Sequence, residues 1–193
     1  MLTLASSSAT RRALLENAAI AHDVVPARVD EVAVTAALLA EGHRPRAVAD
    51  ALAEMKALRV RRPGLILGCD QTLDHDGALL GKPADPDAAR AQLARLAGST
   101  HRLHSAAVIA EDGRPVWRHV ADVTMRMRNV SEAWIDGYVT RNWQVIRHCA
   151  GGYALEGEGA RLFAAVQGDY FAVLGLPLLP LIGYLAGREV IDT

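Results

Sequence analysis

Residues 65–72 read LILGCDQT, and this stretch decides the fold that the sequence predicts. The apolar run of residues 65–68 follows the turn signal Pro63-Gly64, a pattern that is typical of a buried central strand. We expect the strand to end in the polar residues that come next, Cys69 to Thr72. Open α/β sheets place their ligand sites at strand ends, so Asp70 is a candidate catalytic residue. A turn aspartate that caps the next segment is an equally good interpretation.

The beginning of the chain predicts a second part of the site. Residues 2–5 form a short apolar strand, three serines follow at 6–8, and Arg11 and Arg12 open an apolar-periodic helix. Arginine is out of place at a helix N-terminus, which is already the positive end of the helix dipole. Two arginines beside free backbone N–H groups are favourable if an anion lies among them, so this turn predicts a phosphate site.

The remaining elements follow from hydrophobic periodicity and turn signals. They are a strand over 23–26 with a polar exit at 29–31, helices over 45–62 and 85–96, a short hairpin through Asp76-Gly77, a long hairpin of 101–110 and 116–128, a short helix from Ser131 through Tyr138, a loop at 149–153, a strand over 162–166 and a last helix over 178–186. Strands that alternate with helices, together with one long hairpin, predict a mixed α/β fold. We expect a single domain over residues 1–193, with two lobes on one mixed sheet flanked by helices and a cleft between them.

Composition and charge narrow the class of protein. Hydrophobic residues make up 51% of the chain, as in globular proteins, and the formal net charge of −1 disfavours nucleic-acid binding. There are two cysteines and no Cys-x-x-Cys pattern, which disfavours a disulfide scaffold or a zinc ribbon and favours a cytoplasmic location. No signal peptide is recognised, and the most apolar stretch, residues 174–186, is too short to span a bilayer. We therefore expect no membrane partner.

Charged side chains near the predicted strand ends supply candidates for chemistry. Glu31 and Asp70 offer the carboxylate oxygens that Mg²⁺ or Mn²⁺ prefers, although the pair Asp30-Glu31 is otherwise interpreted as a solvated acidic loop. In Gly81-Lys82-Pro83, the glycine and proline fix the backbone that presents the lysine. Lys56 lies on an apolar-striped helix, where a lysine ordinarily faces solvent.

Several other kinds of site are disfavoured. His101 and His104 are three residues apart on a predicted strand and face opposite sides, which disfavours a zinc site. Cys69 is better interpreted as a small buried residue than as a nucleophile. The serines at 6–8 lack a Gly-x-Ser-x-Gly pattern, and Walker A and Gly-x-Gly-x-x-Gly motifs are absent. The remaining candidates, a phosphate site with carboxylates and lysines, suit metal-assisted attack on a phosphate ester.

Five motifs of the chain resemble, in order, those of the Maf-like nucleoside triphosphate pyrophosphatases. They are Leu4-Ala5-Ser6-Ser7-Ser8-Ala9-Thr10-Arg11-Arg12, Val29-Asp30-Glu31, Gly68-Cys69-Asp70-Gln71, Gly81-Lys82-Pro83, and Gly168-Asp169-Tyr170 with Gly175-Leu176-Pro177. The resemblance extends over residues 4–179, nearly the whole chain. It implies a two-lobed α/β fold with a central nucleotide cleft, a divalent metal, a cytoplasmic location, and hydrolysis of a nucleoside triphosphate to the monophosphate and pyrophosphate.

The resemblance also implies a role for each candidate residue. Asp70 matches the family's proton acceptor, and Glu31 and Asp70 would bind the metal. Lys56 and Lys82 would offset the charge that builds up on the phosphoryl oxygens. The positions that would hold the phosphates are Ser6, Arg11 and Arg12.

Three further positions, Thr10, Gln71 and Glu156, match those that set base choice in the family. Gln71 and Glu156, with Cys149-Ala150-Gly151, resemble the branch that acts on 7-methyl-GTP, and Glu156 would accept hydrogen bonds from a guanine edge. Thr10 departs from the Trp of that branch and from the Arg of the dTTP/UTP branch, and Ala9 stands in place of the family's Pro. A dTTP/UTP-type pyrophosphatase therefore stays open, as does a non-catalytic nucleotide-binding regulator of cell division. A homodimer is also expected, because such folds commonly form one.

Overall fold

The computed structural model describes residues 1–192 and contains a seven-stranded mixed sheet. The strands are β1 (Leu2–Leu4), β2 (His22–Val24), β3 (Leu65–His75), β4 (Ala78–Leu80), β5 (Thr100–Glu111), β6 (Arg114–Met127) and β7 (Phe163–Gln167). Their order is β2-β1-β3-β5-β6-β7, and β4 pairs with β3. β1 is parallel to both β2 and β3, and the other pairings are antiparallel.

Helices flank this sheet. The α-helices of the described residues are α1 (Ala9–Asn17), α2 (Glu31–Ala40), α3 (Pro45–Arg59), α4 (Pro86–Leu96), α5 (Glu132–Ile146), α6 (Tyr170–Val173) and α7 (Leu178–Gly187). Two short 3₁₀ helices, Ala150–Gly152 and Glu158–Leu162, lie between α5 and β7. None of the helices within residues 1–192 combines the length and the apolar character needed to cross a bilayer. The predicted mixed α/β class is confirmed.

β3 is paired unequally on its two sides. On one side it pairs with β5 from Leu65 through Asp74. On the other side, β1 covers Leu65 to Leu67 and β4 covers Leu73 to His75. No strand of residues 1–192 covers residues 68–72 on that side, and we call this stretch the open edge of β3.

Two hydrophobic cores lie along the long strands β3 and β5. The first core contains Leu67 and Ile109, against which α1 and α7 pack. The second contains Leu73 and Leu103, against which α4 and α5 pack. The two lobes expected from the sequence are therefore present, and the open edge of β3 lies between them.

α3 packs directly on β3 at Gly68. A Cβ atom at this position would collide with the backbone oxygen of Ala53 and the backbone nitrogen of Ala57. Those two alanines form a small core with the alanines and valine of β5 at residues 106, 108 and 110. Because the residues at this contact are small, the axis of α3 comes close enough to bring its side chains against the neighbouring residues of β3.

The prediction that β3 ends at residues 69–72 was wrong. The strand continues to His75, because β5 pairs with it without interruption and keeps the polar residues inside the sheet. Thr72, for example, is buried and donates from Oγ1 to the Pro45 carbonyl at 2.8 Å. Asp70 is therefore a buried residue in the middle of a strand and is not a turn aspartate.

The predicted polar exit at residues 29–31 is a loop as far as Asp30, but the helix α2, which begins at Glu31, was not predicted. Asp30 is the N-cap of α2, and its Oδ1 accepts from the Ala33 backbone N–H at 3.0 Å. Glu31 is the first residue of the helix, where an acidic side chain is favourable. Two other helices differ in length from the prediction. α3 ends at Arg59 and not at residue 62, and α5 continues beyond Tyr138 to Ile146.

Candidate active site

A buried lysine joins two carboxylates beside the open edge of β3. Lys56 of α3 donates from Nζ to Asp70 Oδ1 at 2.6 Å, and the same amine lies 2.8 Å from Glu31 Oε1. Lys56 and Asp70 are buried, whereas the Glu31 side chain is 45% exposed. The close packing of α3 on Gly68 brings Lys56 to Asp70, and the first turn of α2 brings in Glu31. Lys56 thus does not face solvent, as lysines on helices ordinarily do.

The pKa values of the two carboxyl groups, Asp70 and Glu31, are shifted in opposite directions. Burial raises the pKa of Asp70 above its usual value, and the nearby charges of Lys56 and Arg11 offset this only in part. Burial alone would also raise the pKa of Glu31, but the hydrogen bond and charge of Lys56, with the charges of Lys82 and Arg11, lower it below its usual value. A proton acceptor works best with a raised pKa and a cation ligand must stay ionised. The pair is therefore suited to two different roles.

Arg11 is fixed against the open edge by three hydrogen bonds. Its Nε donates to the Gly175 carbonyl at 2.7 Å, and its Nη1 donates to the Cys69 carbonyl at 3.1 Å and to Ser6 Oγ at 3.4 Å. Ser6 Oγ also accepts from the Ser8 backbone N–H at 3.2 Å. Arg11 thereby gives a hydrogen-bond donor to the Cys69 carbonyl, which lies beyond the part of β3 that pairs with β1. Within residues 1–192 its Nη2 donates to no acceptor, which leaves this group for an anion.

Arg12 and Thr10 are placed differently from Arg11. The Arg12 side chain is 55% exposed and pairs with Glu16 one turn along α1, at 3.4 Å. Thr10 is half-buried in the first turn of α1, which Ser8 caps. The structure therefore brings Arg11 to the carboxylate cluster and leaves Arg12 on the helix surface.

Lys82 and Glu156 are both near Cys149, on the side of α4 and α5. The pKa of Cys149 is raised to about 11, mainly by burial and also by the negative charge of Glu156, while the positive charge of Lys82 opposes the increase. The charge of Lys82 also lowers the pKa of Glu31. Lys82 is thus within electrostatic range of both the carboxylate cluster and Cys149, and Lys82 and Glu156 are exposed residues.

Ser105 is a polar residue of this region that sequence reasoning missed. Three acceptors share the two Nε2 hydrogens of Gln71: Ser105 Oγ at 2.8 Å and the carbonyls of Ala172 and Val173 at 2.9 and 3.0 Å. Ser105 lies directly opposite Gln71 in the pairing of β3 with β5, is fully buried, and donates to the Ala172 carbonyl at 2.6 Å. These bonds tie α6 to β3. The available signal was a lone serine before the apolar run of residues 106–110.

Glu31 and Asp70 fit a divalent cation that also binds phosphate oxygens. Each carboxylate directs one oxygen to Lys56, and neither Asp70 Oδ2 nor Glu31 Oε2 accepts a hydrogen bond within residues 1–192. The described residues contain no group of three or more His, Cys, Asp or Glu side chains placed to hold an ion. Mg²⁺ usually takes one or two carboxylates and completes its shell with water and substrate phosphates, and these two residues supply that number.

Sequence comparison defines the family to which the chain belongs. A family model described as Maf-like protein matches residues 1–188, and the chain belongs to this family. A nucleoside triphosphate pyrophosphatase of Ruegeria pomeroyi is 56% identical over 195 residues, which cover 100% of this chain and 98% of the relative. Proteins of the same name from Roseobacter denitrificans and Caulobacter vibrioides are 55% and 50% identical, over 97% and 95% of this chain and 96% and 94% of the relatives. The family inferred from the five sequence motifs is confirmed.

Proposed function

We propose that this protein hydrolyses a nucleoside triphosphate to the monophosphate and pyrophosphate. The observation that carries the proposal is the pair of carboxylates on Lys56, in which Asp70 has a raised pKa and Glu31 a lowered one. The relatives named nucleoside triphosphate pyrophosphatase, which match nearly the whole chain, support the same reaction here.

Asp70 is the proposed proton acceptor. A water molecule beside Asp70 Oδ2 gives a proton to the carboxylate while its oxygen attacks the α-phosphorus. The bond from that phosphorus to the oxygen bridging to the β-phosphorus breaks, and pyrophosphate leaves with the electron pair. Lys56 holds Asp70 through Oδ1, so Oδ2 is the oxygen that remains for the water.

Cationic and polar groups hold the triphosphate in this proposal. Arg11 presents Nη2 to the phosphates while its other nitrogens are anchored, and Ser6 with the amides of residues 6 and 7 binds beside it. Arg12, on the surface of α1, would contact the outer phosphates. Lys56 and Lys82 stabilise the charge that develops on the phosphoryl oxygens.

A divalent ion, Mg²⁺ or Mn²⁺, is part of the proposal. Glu31 would hold it directly through Oε2 together with the phosphate oxygens, and Asp70 would hold it through the water molecule beside Oδ2. It would neutralise charge on the triphosphate and polarise the phosphoryl group under attack. Glu31 stays ionised for this purpose because Lys56, Lys82 and Arg11 lower its pKa.

The proposed base is 7-methylguanine or a similarly modified base. Gln71 lies on β3 beside Asp70, and Glu156 is exposed on the α4–α5 side of the cleft, where a carboxylate can accept from the amino group of a guanine. Thr10, half-buried in the first turn of α1, is the third position proposed to contact the base. A preference for dTTP or UTP is the alternative, and a panel of substrates distinguishes it from a preference for 7-methyl-GTP.

Asp70→Asn tests the proposed reaction. With Mg²⁺ or Mn²⁺ present, the protein is assayed on 7-methyl-GTP, GTP, dTTP, UTP and modified pyrimidine triphosphates, with separate detection of pyrophosphate and orthophosphate. We expect pyrophosphate from at least one substrate, and a loss of about 10²- to 10⁴-fold in Asp70→Asn because a general base is removed. Chelation of the metal should abolish the reaction.

Asp76→Asn is the matched control for this experiment. Asp76 is an exposed aspartate in the turn after the same strand, and asparagine tolerates its positive φ of 55°. We expect the control to keep the parent rate. Full activity in Asp70→Asn contradicts the assignment of the proton acceptor. Nucleotide binding without turnover of any substrate in the panel favours the regulatory alternative, and release of orthophosphate points to a general phosphatase.

A cytoplasmic location and a homodimer complete the proposal. Cys69 and Cys149 are both free, which suits a reducing compartment. α2 is apolar in sequence, yet none of its residues is buried, and Val32 is 82% exposed. Exposed apolar surface of this kind supports self-association. Analytical ultracentrifugation measures the mass in solution.

A further inference from the structure

An open groove with a volume of about 330 Å³ lies between the segment that follows β2 and the C-terminal end of α3. Residues 25–28 form one wall and residues 59–62 form the other. Four of the lining residues are arginines, namely Arg28, Arg59, Arg61 and Arg62. No acidic residue and none of the candidate active-site residues lines this groove, which we call the arginine groove.

Most of the positive charge of the arginine groove is not neutralised by the protein. Arg62 donates from Nη1 to Asp23 Oδ2 at 3.0 Å. Arg28, Arg59 and Arg61 are exposed, and within residues 1–192 their side chains form no ion pair and donate no hydrogen bond. The formal net charge of the whole chain is −1, so this excess of positive charge is a local feature.

The helix dipole explains only part of this cluster. Arg59 is the last residue of α3, where a cation is favourable because the helix C-terminus is the negative end of the dipole. Arg28 comes from a different segment and lies on the opposite wall. Cations on opposite walls repel each other in the free protein, whereas an anion between them would be attracted by both walls.

The charge and the size of the groove define the class of anion. Guanidinium groups bind phosphate oxygens through pairs of parallel N–H···O bonds. A phosphoryl group carries about 1.5 to 2 negative charges near neutral pH, so two linked groups match the three unpaired arginines. The volume of about 330 Å³ is at the lower end of the range of about 300–1,000 Å³ for small-molecule sites, which suits a small polyphosphate better than a nucleic-acid chain.

We propose that the arginine groove is a second anion site, which binds an anion with two or more linked phosphates. Pyrophosphate and the phosphate chain of a nucleotide share this chemistry. The site is independent of the proposed reaction, because no candidate catalytic residue lines the groove.

The two walls of the groove belong to segments that meet again in the candidate active site. Arg28 is three residues before Glu31, and Arg59 is three residues after Lys56. Glu31 and Lys56 form an ion pair at 2.8 Å. An anion that bridges the walls holds these two segments together, so binding should raise the Tm of the protein.

Calorimetric titration with pyrophosphate, in EDTA and without a divalent metal, tests the proposed site. The parent protein is Arg11→Gln, in which the candidate active site lacks a side chain proposed to hold phosphates. We expect this parent to bind pyrophosphate with an affinity that falls as the salt concentration rises. The groove variant, which adds Arg28→Gln and Arg61→Gln, should bind about 10- to 100-fold more weakly, because charge-assisted hydrogen bonds are lost.

Arg126→Gln with Arg128→Gln, in the same parent, is the matched control. Both arginines are exposed and form no ion pair within residues 1–192, and their replacement changes the net charge by the same amount. The control should keep the affinity of the parent. Without ligand, the groove variant should unfold at the parent Tm or higher, because repulsion between the walls is reduced. Pyrophosphate should raise the Tm of the parent and of the control but not that of the groove variant.

Two other ligands identify the source and the class of the anion. Tighter binding of ADP than of pyrophosphate assigns the site to a nucleotide, and the reverse assigns it to the free anion. Either result supports the second site if the groove variant loses the binding. Citrate carries a similar charge on carboxylates and should bind more weakly. Citrate bound as tightly as pyrophosphate, a groove variant that binds like the control, or no binding of any of these ligands to the parent overturns the proposal.

Discussion

Lys56 is the residue on which the site depends. It is a buried cation with two carboxylate partners, so its removal would leave a buried charge uncompensated, which is costly. The same amine also sets the acidity of both partners: it opposes the effect of burial on Asp70 and contributes most to lowering the pKa of Glu31. One side chain thus couples the stability of the cleft to its chemistry.

The pH dependence of the reaction should report this coupling. Because burial raises the pKa of Asp70, kcat/KM should rise with pH through a pKa above the ordinary 3.8 of an aspartate and then level off. The negative charge of Glu31 contributes to that elevation, so Glu31→Gln should move the acid limb to lower pH, whatever it does to the maximal rate. Glu41→Gln, an exposed change just after the same helix, should leave the limb in place. A shift of the Glu31→Gln limb to higher pH would contradict the assignment.

The raised pKa of Asp70 also affects how the stability of the protein depends on pH. A carboxyl group with a raised pKa binds its proton more tightly in the folded state than in the unfolded state. Its contribution to stability is present at low pH and is lost as pH rises through the folded pKa. Glu31, with a lowered pKa, contributes in the opposite sense, since its stabilising effect is lost as pH falls.

At the level of elements, the contact between α3 and β3 sets the geometry of the cluster. Gly68→Ala should destabilise the protein by roughly 1–3 kcal/mol, because the added Cβ meets backbone atoms of α3 that cannot rotate away. The rate should also fall, because Lys56 moves with its helix. Chemical denaturation with assay of the folded variant measures both. Gly183→Ala is the control: it lies in α7 with open space around it and should be neutral or slightly stabilising. Equal midpoints for the two variants would contradict the packing argument.

The sequence predicted the elements that have a clear periodicity or turn signal and missed those that depend on tertiary partners. Cys69 to Thr72 looked like the end of a strand, because polar residues seldom continue a buried one. Their partners, Lys56 for Asp70 and Ser105 for Gln71, come from other elements and cannot be located by local pattern. The start of α2 did carry a local signal, an Asp cap before Glu31, which the acidic-loop interpretation concealed.

At the level of the whole molecule, the two lobes share their central strands. β3 and β5 run through both hydrophobic cores, so the lobes are joined by continuous paired backbone. The candidate residues nevertheless come from many elements: α1, the start of α2, α3, β3, the loop after β4 and the turn before the second 3₁₀ helix. Motifs in the right order could name these residues, but the meeting of Arg11, Glu31, Lys56 and Asp70 at the open edge of β3 follows only from the tertiary structure.

The open edge of β3 has a consequence for amide hydrogen exchange. Alternate residues of a strand point their N–H groups to the same side, and the Leu67 carbonyl already faces β1, where it accepts from the Ala5 N–H at 2.8 Å. The amides of Cys69 and Gln71 therefore face the gap, while that of Asp70 faces β5. In the free protein we expect two rapidly exchanging amides within the most central strand, each next to slowly exchanging neighbours.

A nucleotide that occupies the gap should slow both amides without altering those that face β5. Exchange measured by NMR, with and without a non-hydrolysable triphosphate, resolves the alternation residue by residue. Protection of Cys69 and Gln71 equal to that of Asp70 in the free protein would contradict the pairing of β3. An alternating pattern that disappears on binding would mean that the ligand completes the sheet at the point where β1 and β4 leave it unfinished.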